Sequence, residues 1–212
     1  MAKLDRRTWM LANAGFMAAW SGVLHAQAPK APADGGAKAV LQAFVGVQPP
    51  AAAQRLVSLS GALTEIVYQL GAEALLVGSD TTSNFPDAAN RMPKVGYVRQ
   101  LAAEGVLSLK PDTVISTTEA GPPVVLQQIA QAGVAIALVQ SDHSWGEVLR
   151  KIRLVGAATG RQVQAEKLAQ SLQTQWDATQ AQVRAAVAAG RAPRALFVLS
   201  HSGTPQVAGQ KT

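Results

Sequence analysis

Two side chains two positions apart, Tyr97 and Arg99, form the strongest candidate for a binding site in this sequence. A phenolate oxygen is a hard anionic ligand that suits ferric iron, and tyrosine is one of the axial ligands that proteins give to haem iron. Because a free phenol has a pKa of about 10, ligation at neutral pH needs a nearby cation, which Arg99 can supply. In an extended loop, residues two apart project the same way. We therefore expect the Arg99 guanidinium to donate to the Tyr97 oxygen.

Few other side chains could act as ligands. A Gly-Tyr pair is also common in packed turns, so packing remains open as the role of Tyr97 when the residues are considered alone. Tyr68 lies one step from the apolar stripe of a predicted helix, which indicates core or rim packing. His143 and His201 are the only histidines after residue 26, and zinc or manganese sites need several histidine and carboxylate ligands.

Composition narrows the class of protein. With 48% hydrophobic and 15% charged residues, 18 Gly and 11 Pro, the 212-residue chain is too apolar for disorder and too interrupted for a coiled coil. The absence of cysteine excludes disulfide frameworks, iron–sulfur clusters and thiol catalysis. Residues 1–26 carry a net +2 of the total charge of +6, and the remaining positive charge forms no basic run. A nucleic-acid partner is therefore not expected.

The N-terminus predicts export. Residues 1–26 combine a charged start, a short apolar stretch and a small-residue end, which is typical of a signal peptide cleaved after Ala26. The pair Arg6-Arg7 also resembles a twin-arginine signal, and a buried or amphipathic N-terminal helix is the alternative. Residues 27–53 are rich in Pro and Gly and contain one short apolar stretch, so we expect a mobile linker there.

From residue 54 onwards, short β-branched runs alternate with longer helical ones, which predicts an α/β fold with strands covered on both faces. Candidate strands span 55–60, 75–80, 112–117, 135–140 and 194–200. Candidate helices span 62–70, 122–132 and 145–158. These elements predict an N-terminal α/β lobe at 54–160. An uninterrupted helical pattern then predicts one long bridging helix at 161–190, and we expect 191–212 to begin a second, truncated C-terminal lobe.

The motif KVGYVRQL at 94–101, followed by EGVLSLKPD at 104–112, resembles the periplasmic haem-binding proteins of bacterial haem ABC importers. Supporting stretches lie at 55–66 and 200–209, so the resemblance extends from Arg55 to the end of the chain. The second part of the motif is shared by the wider class III periplasmic-binding-protein clan, whose members bind iron-siderophores, cobalamin or haem. The Gly-Tyr-x-Arg part is specific to the haem branch.

The resemblance implies two α/β lobes bridged by one long helix, with haem held in the cleft between them. It also implies that Tyr97 ligates the haem iron and that Arg99 supports this ligation. Glu65 would pair with arginines of the membrane permease. His201 and Lys94 are further candidates for haem contact.

The function that follows from the resemblance is that of a periplasmic, monomeric, non-enzymatic protein that binds haem as a transported ligand. It would deliver haem to an inner-membrane permease and its ATPase. A siderophore- or cobalamin-binding protein of the same clan, and a non-functional truncated product, are the alternatives. An exported hydrolase is disfavoured, because the stretch 200–203 lacks the first glycine of a nucleophile elbow, and no acid and histidine follow it.

Overall fold

The computed structural model describes residues 36–191, 196, 198–201 and 204–207. The predicted signal peptide lies outside the described residues. The helices are α1 (Ala37–Gln42), α2 (Gly61–Gln69), α3 (Ala103–Leu107), α4 (Pro123–Gln131), α5 (Trp145–Thr159) and α6 (Gln162–Ala188), with short 3-10 helices at Glu73–Leu75 and Asp87–Arg91. The strands are β1 (Leu56–Leu59), β2 (Leu76–Ser79), β3 (Thr113–Thr117), β4 (Ala135–Val139), β5 (Val198–His201) and β6 (Thr204–Val207).

Strands β1 to β4 form one parallel sheet in the order β2-β1-β3-β4. Helices cover both faces of the sheet, and the buried side chains accordingly form two clusters. One cluster packs under α1, α3 and α4, and the other under α2, α5 and α6. Such burial on both faces explains why β1 and β3 are buried at every position. The predicted α/β architecture with strands covered on both faces is confirmed.

Helices α5 and α6 pack against each other in opposite directions. The start of α5 meets the middle of α6, where the Trp145 and Trp176 rings stack with centroids 4.7 Å apart. Near the end of α5, a Cβ added to Gly156 would lie 2.4 Å from the Cβ of Ala165, close to the start of α6. At about 1.5 Å per residue, the part of α6 after Trp176 therefore extends about 18 Å beyond the start of α5. A long helix is present where the sequence predicts one, and its C-terminal part extends past the start of α5.

The segment before β1 differs from the predicted mobile linker. Within its described part, α1 packs on α4, and the side chains of Val40 and Phe44 are buried. The Leu138 N–H donates to the Phe44 carbonyl (2.9 Å), and the Gly46 N–H donates to the Leu138 carbonyl (3.2 Å). The short apolar stretch thus covers the outer edge of β4. The sequence did not predict this packing, because the proline- and glycine-rich residues on both sides of the stretch are typical of a linker.

Beyond α6, β5 and β6 pair as an antiparallel hairpin, with Val198 opposite Val207. Strand β5 overlaps the strand predicted at 194–200. None of the helices in the described ranges has the length and apolar character needed to span a membrane.

Candidate functional site

The carboxyl ends of the four parallel strands share one edge of the sheet, and three connections gather there. The β2–α3 connection contains Tyr97, the β3–α4 connection contains Glu119, and the β4–α5 connection contains His143. In open parallel sheets, ligands bind outside this edge. The fold therefore places the tyrosine predicted as a ligand where such a sheet binds small molecules.

The β2–α3 connection is held at two points along this edge. Next to β2, the Ser79 carbonyl accepts a hydrogen bond from the Val95 N–H at 3.0 Å. Further on, the Gly121 N–H donates to the Val98 carbonyl (2.9 Å), and the Leu101 N–H donates to the Gly121 carbonyl (2.8 Å). Since β1 lies between β2 and β3, the connection crosses the edge of the sheet in front of β1. The segment that carries Tyr97 is fixed on both sides of that crossing.

A tight turn presents the Tyr97 side chain to solvent. The Gln100 N–H donates to the Tyr97 carbonyl at 2.8 Å, which closes a turn over residues 97–100. The preceding residue, Gly96, has φ of 107°, a conformation that side-chain-bearing residues rarely adopt. Within the turn, Val98 points into the core, whereas Tyr97 is 40% exposed. The phenol is thus available to a ligand on a backbone that the fold holds in place.

The structure directs Arg99 to a partner that the sequence did not suggest. Its guanidinium donates to Glu119 Oε1 at 3.0 Å, and both side chains are partly exposed. The expectation that residues 97–99 form an extended loop is wrong, because the turn at 97–100 changes the direction of the chain. Among the described residues, the hydrogen bonds of Arg99 do not include the Tyr97 hydroxyl. A bond between Arg99 and Tyr97 in a liganded state stays a prediction.

The Lys94 ammonium group binds three acceptors of the same chain, although the residue is exposed. Its ammonium group donates to Ser79 Oγ at 3.0 Å, to the Ser83 carbonyl at 2.6 Å and to the Ala89 carbonyl at 3.1 Å. Burial lowers the pKa of Lys94 below its usual value, although the Asp80 carboxylate opposes this shift. All three N–H bonds are used to hold the β2–α3 connection, so Lys94 has no free donor for a haem carboxylate.

A buried polar network joins the same connection to α2. The Thr64 hydroxyl lies 2.9 Å from both Ser58 Oγ and Ser83 Oγ, and Ser83 in turn donates to Asp80 Oδ1 at 2.6 Å. All four side chains are fully buried. Buried networks of this kind fix geometry when every member has a partner. Glu65, next to Thr64, is therefore carried on a helix with a fixed position relative to the site.

Apolar side chains also stand exposed at the carboxyl edge. Phe85 in the β2–α3 connection is 64% exposed, and Val124 in the first turn of α4 is 55% exposed. Neither residue could be identified from the sequence, because nothing in the local pattern separates an exposed apolar side chain from a buried one.

The β4–α5 connection is held by a buried carboxylate. Glu147 Oε2 accepts from the N–H groups of Asp142 and His143, both at 2.7 Å, and Oε1 accepts from Lys151 Nζ at 2.6 Å. Burial acts to raise the pKa of Glu147, but the Lys151 ammonium and the two backbone N–H groups outweigh it and hold the pKa below its usual value. The Ser144 hydroxyl caps α5 by accepting a hydrogen bond from the Glu147 N–H at 3.2 Å. These bonds hold the β4–α5 connection in one conformation at the carboxyl edge of the sheet.

The remaining candidates belong to other elements of the fold. Glu65 is partly exposed on α2 and accepts a hydrogen bond from Gln69 Nε2 at 3.2 Å. His201 ends β5, and its side chain lies outside the described part of the chain. Across residues 36–191 and the short described stretches that follow, no three His, Asp or Glu side chains cluster so as to hold a metal ion.

Comparison with protein families gives a match over residues 56–212 to the family described as "Periplasmic binding protein". Among solved structures, the periplasmic haem-binding protein of Pseudomonas aeruginosa is 39% identical, with a TM-score of 0.68 over 74% of this chain and 57% of that chain. The haem-binding protein BhuT, solved with two haems, is 43% identical, with a TM-score of 0.64 over 74% of this chain and 61% of that chain. The haem-binding protein RhuT of Roseiflexus sp. RS-1 is 36% identical, with a TM-score of 0.65 over 75% of this chain and 60% of that chain.

Two curated relatives are also similar. The uncharacterised ABC transporter substrate-binding lipoprotein YvrC of Bacillus subtilis is 31% identical over 123 residues, which is 57% of this chain and 39% of the relative. The vitamin B12-binding protein of Yersinia pestis is 32% identical over 107 residues, 50% of this chain and 38% of the relative. The chain thus spans less than half of the length of these curated relatives and about 60% of the solved structures.

Proposed function

This chain belongs to the periplasmic binding protein family, and from that premise we propose that it binds ferric haem through Tyr97 and passes it to an ABC importer. The observation that carries the proposal is the position of Tyr97. Its exposed phenol stands on a fixed turn at the carboxyl edge of the sheet. A binding protein carries its ligand without converting it, so haem is cargo here and no catalysis is expected.

The chemistry of the edge suits a flat apolar ligand that contains a ferric ion. The Tyr97 phenolate supplies a hard anionic oxygen to the iron. Phe85 and Val124, both exposed at this edge, supply apolar contact to the porphyrin face. Arg99, already in the same turn, favours the ionised phenol once haem binds.

The transport role supports a second proposal, that Glu65 contacts the permease. Its carboxylate is partly exposed near the start of α2, which the buried Thr64 network ties to the binding edge. A docking carboxylate in that position would link the ligand-bearing lobe directly to the importer. Export of the chain to the periplasm by residues 1–26 belongs to the same proposal.

A cobalamin-binding protein is the second candidate, because a vitamin B12-binding protein of Yersinia pestis is 32% identical over 107 residues. Such a protein would use the same sheet edge. It would not depend on a phenolate ligand to iron, so the response to loss of the Tyr97 hydroxyl separates the two candidates.

The deciding experiment is a haemin titration of the chain, of Tyr97→Phe and of Tyr68→Phe, followed by absorption spectroscopy. Tyr68 is the only other tyrosine and is a matched control, since its substitution removes the same hydroxyl from the partly buried face of α2. We expect a tyrosinate-type ferric spectrum in the parent chain and in Tyr68→Phe. Tyr97→Phe should lose that spectrum.

A version extended by any downstream coding sequence is titrated in parallel with haemin and with cyanocobalamin. If only the extended version binds haemin, residues beyond Thr212 complete the site. Binding of cyanocobalamin but not haemin, or equal haemin spectra in Tyr97→Phe and the parent, would overturn the haem proposal.

A further inference from the structure

We infer that Lys94 is a positioning residue for ligand binding: its ammonium group closes the segment 83–89 and thereby fixes Phe85 in place before a ligand arrives. The inference deepens the proposed function and rests on it for the identity of the ligand. Lys94 then acts on the ligand through Phe85, without touching the ligand itself.

The Lys94 ammonium group binds both ends of this segment. It donates to the Ser83 carbonyl at 2.6 Å, where the segment begins, and to the Ala89 carbonyl at 3.1 Å, where the segment ends. Its third bond, to Ser79 Oγ at 3.0 Å, fixes the same ammonium group to the last residue of β2. One side chain therefore ties the segment closed and attaches it to the sheet.

The burial of the three acceptor residues makes these bonds hard to replace. Ser79, Ser83 and Ala89 are all fully buried. A buried acceptor that loses its donor costs free energy until the backbone moves to reach water or another donor, and bonds from a charged donor are among the strongest. We therefore expect the segment to change its conformation when the ammonium group is removed.

Phe85 lies within the closed segment and is 64% exposed. A second bond supports the same segment, because Asn90 Nδ2 donates to the carbonyl of Asn84, the residue before Phe85, at 3.1 Å. An exposed aromatic side chain on a segment with fixed ends loses less conformational freedom when a ligand covers it than one on a loose segment. The closure by Lys94 thus lowers the cost of binding a ligand with an apolar face.

The turn that carries Tyr97 has anchors of its own. The Thr81 N–H donates to the Gly96 carbonyl at 3.0 Å, and the Gly121 N–H donates to the Val98 carbonyl at 2.9 Å. Neither bond uses the Lys94 side chain. Loss of the ammonium group should therefore lower the affinity for the ligand and leave the proposed iron ligand unchanged, and these two effects can be measured separately.

The test removes the ammonium group in Lys94→Met, in the parent chain and together with Phe85→Ala. Methionine keeps an unbranched side chain of similar length. Asn90→Ala, whose side chain is exposed, loosens the same segment and carries the same comparison with Phe85→Ala if Lys94→Met does not fold.

Arg55→Met is the matched control. Arg55 also donates to two backbone carbonyls, those of Leu109 at 2.7 Å and Lys110 at 2.8 Å. It lies just before β1, at the opposite edge of the sheet. For every protein, amide hydrogen exchange of residues 84–92 is measured without ligand, and haemin affinity and the absorption spectrum of the haemin complex are measured afterwards.

We expect Lys94→Met, and more weakly Asn90→Ala, to speed exchange in residues 84–92, whereas Arg55→Met should leave it unchanged. Lys94→Met should weaken haemin binding by about three- to tenfold, which corresponds to the cost of ordering one side chain, and should keep the tyrosinate-type spectrum. Added to Phe85→Ala, the same substitution should change haemin affinity by less than about twofold, because the ring through which it acts is gone.

Unchanged exchange in residues 84–92 of Lys94→Met would overturn the inference, and so would an equal loss of affinity with and without the Phe85 ring. In either case, a tyrosinate-type spectrum that Tyr97→Phe loses would still support the proposed function. If no protein binds haemin but exchange in residues 84–92 rises in Lys94→Met, the closure of the segment by Lys94 is supported and the haem proposal fails.

Discussion

Replacing Gly96 by alanine tests whether the backbone of one residue sets the position of the Tyr97 phenol. Gly96 has φ of 107°, and an added Cβ would have the Gln100 carbonyl oxygen, at 3.9 Å, as its nearest neighbour. Since the methyl group fits, the substitution costs only backbone strain, which amounts to about 1–3 kcal/mol. Either the turn keeps its strained conformation and the protein loses stability, or the turn relaxes and moves the phenol, which weakens haemin binding. We expect the strain to appear as a combination of the two losses.

The assay measures thermal unfolding and haemin affinity on the same samples. For a chain of this size, each 1 kcal/mol of lost stability lowers Tm by about 2–4 °C. Gly133→Ala is the matched control, because Gly133 has φ of 89° with no atom within 4 Å of an added Cβ, and it lies at the amino edge of the sheet before β4. It should lose comparable stability and keep its haemin affinity. If Gly96→Ala keeps both properties, or if Gly133→Ala weakens haemin binding equally, the backbone of Gly96 does not set the position of the phenol.

Two further predictions concern the frame of the site. Gly156→Val should lower the free energy of unfolding, measured in urea, by about 1–3 kcal/mol. The reason is that even a Cβ at this position would lie 2.4 Å from the Ala165 Cβ. Unchanged stability would mean that α5 and α6 do not pack this closely. Hydrogen bonds from Ser144 and the charge of Arg150 hold the pKa of Asp142 at about 2, below its ordinary value of 3.8. The contribution of Asp142 to stability is therefore fully present at pH values above the ordinary pKa of 3.8, and it is lost as the pH falls through about 2. In Asp142→Asn this part of the pH–stability profile should flatten, and an identical profile in both proteins would contradict the assignment.

The sequence carried enough information to predict the sheet and most of its helices. Strands buried on both faces read as continuous apolar runs, and β1, β2, β3 and β4 all lie within the predicted stretches. Helix ends were readable from glycines such as Gly71 and Gly160, which have positive φ just after α2 and α5. Family membership also bears out the expectation that the chain is a binding protein and not an enzyme.

The partners of the charged side chains could not be predicted in this way. Glu119 lies 20 residues from Arg99, and Lys94 reaches acceptors up to 15 residues away, so no local spacing identifies either set of contacts. The prediction for Arg99 assumed an extended loop and missed the turn at 97–100. The one signal available was position, since an acidic residue two places after a predicted strand end lies at the carboxyl edge of a parallel sheet. Applied to Glu119, that rule would have placed it near Tyr97.

The most direct test of the central claim is resonance Raman spectroscopy of the haemin-loaded Tyr68→Phe chain, produced with ring-deuterated tyrosine. Tyr97 is then the only labelled residue, so any iron–phenolate vibration that shifts with the label arises from it. We expect such vibrations and their isotope shift. A haemin complex that forms with normal stoichiometry but shows no label-sensitive iron–phenolate vibration would contradict it.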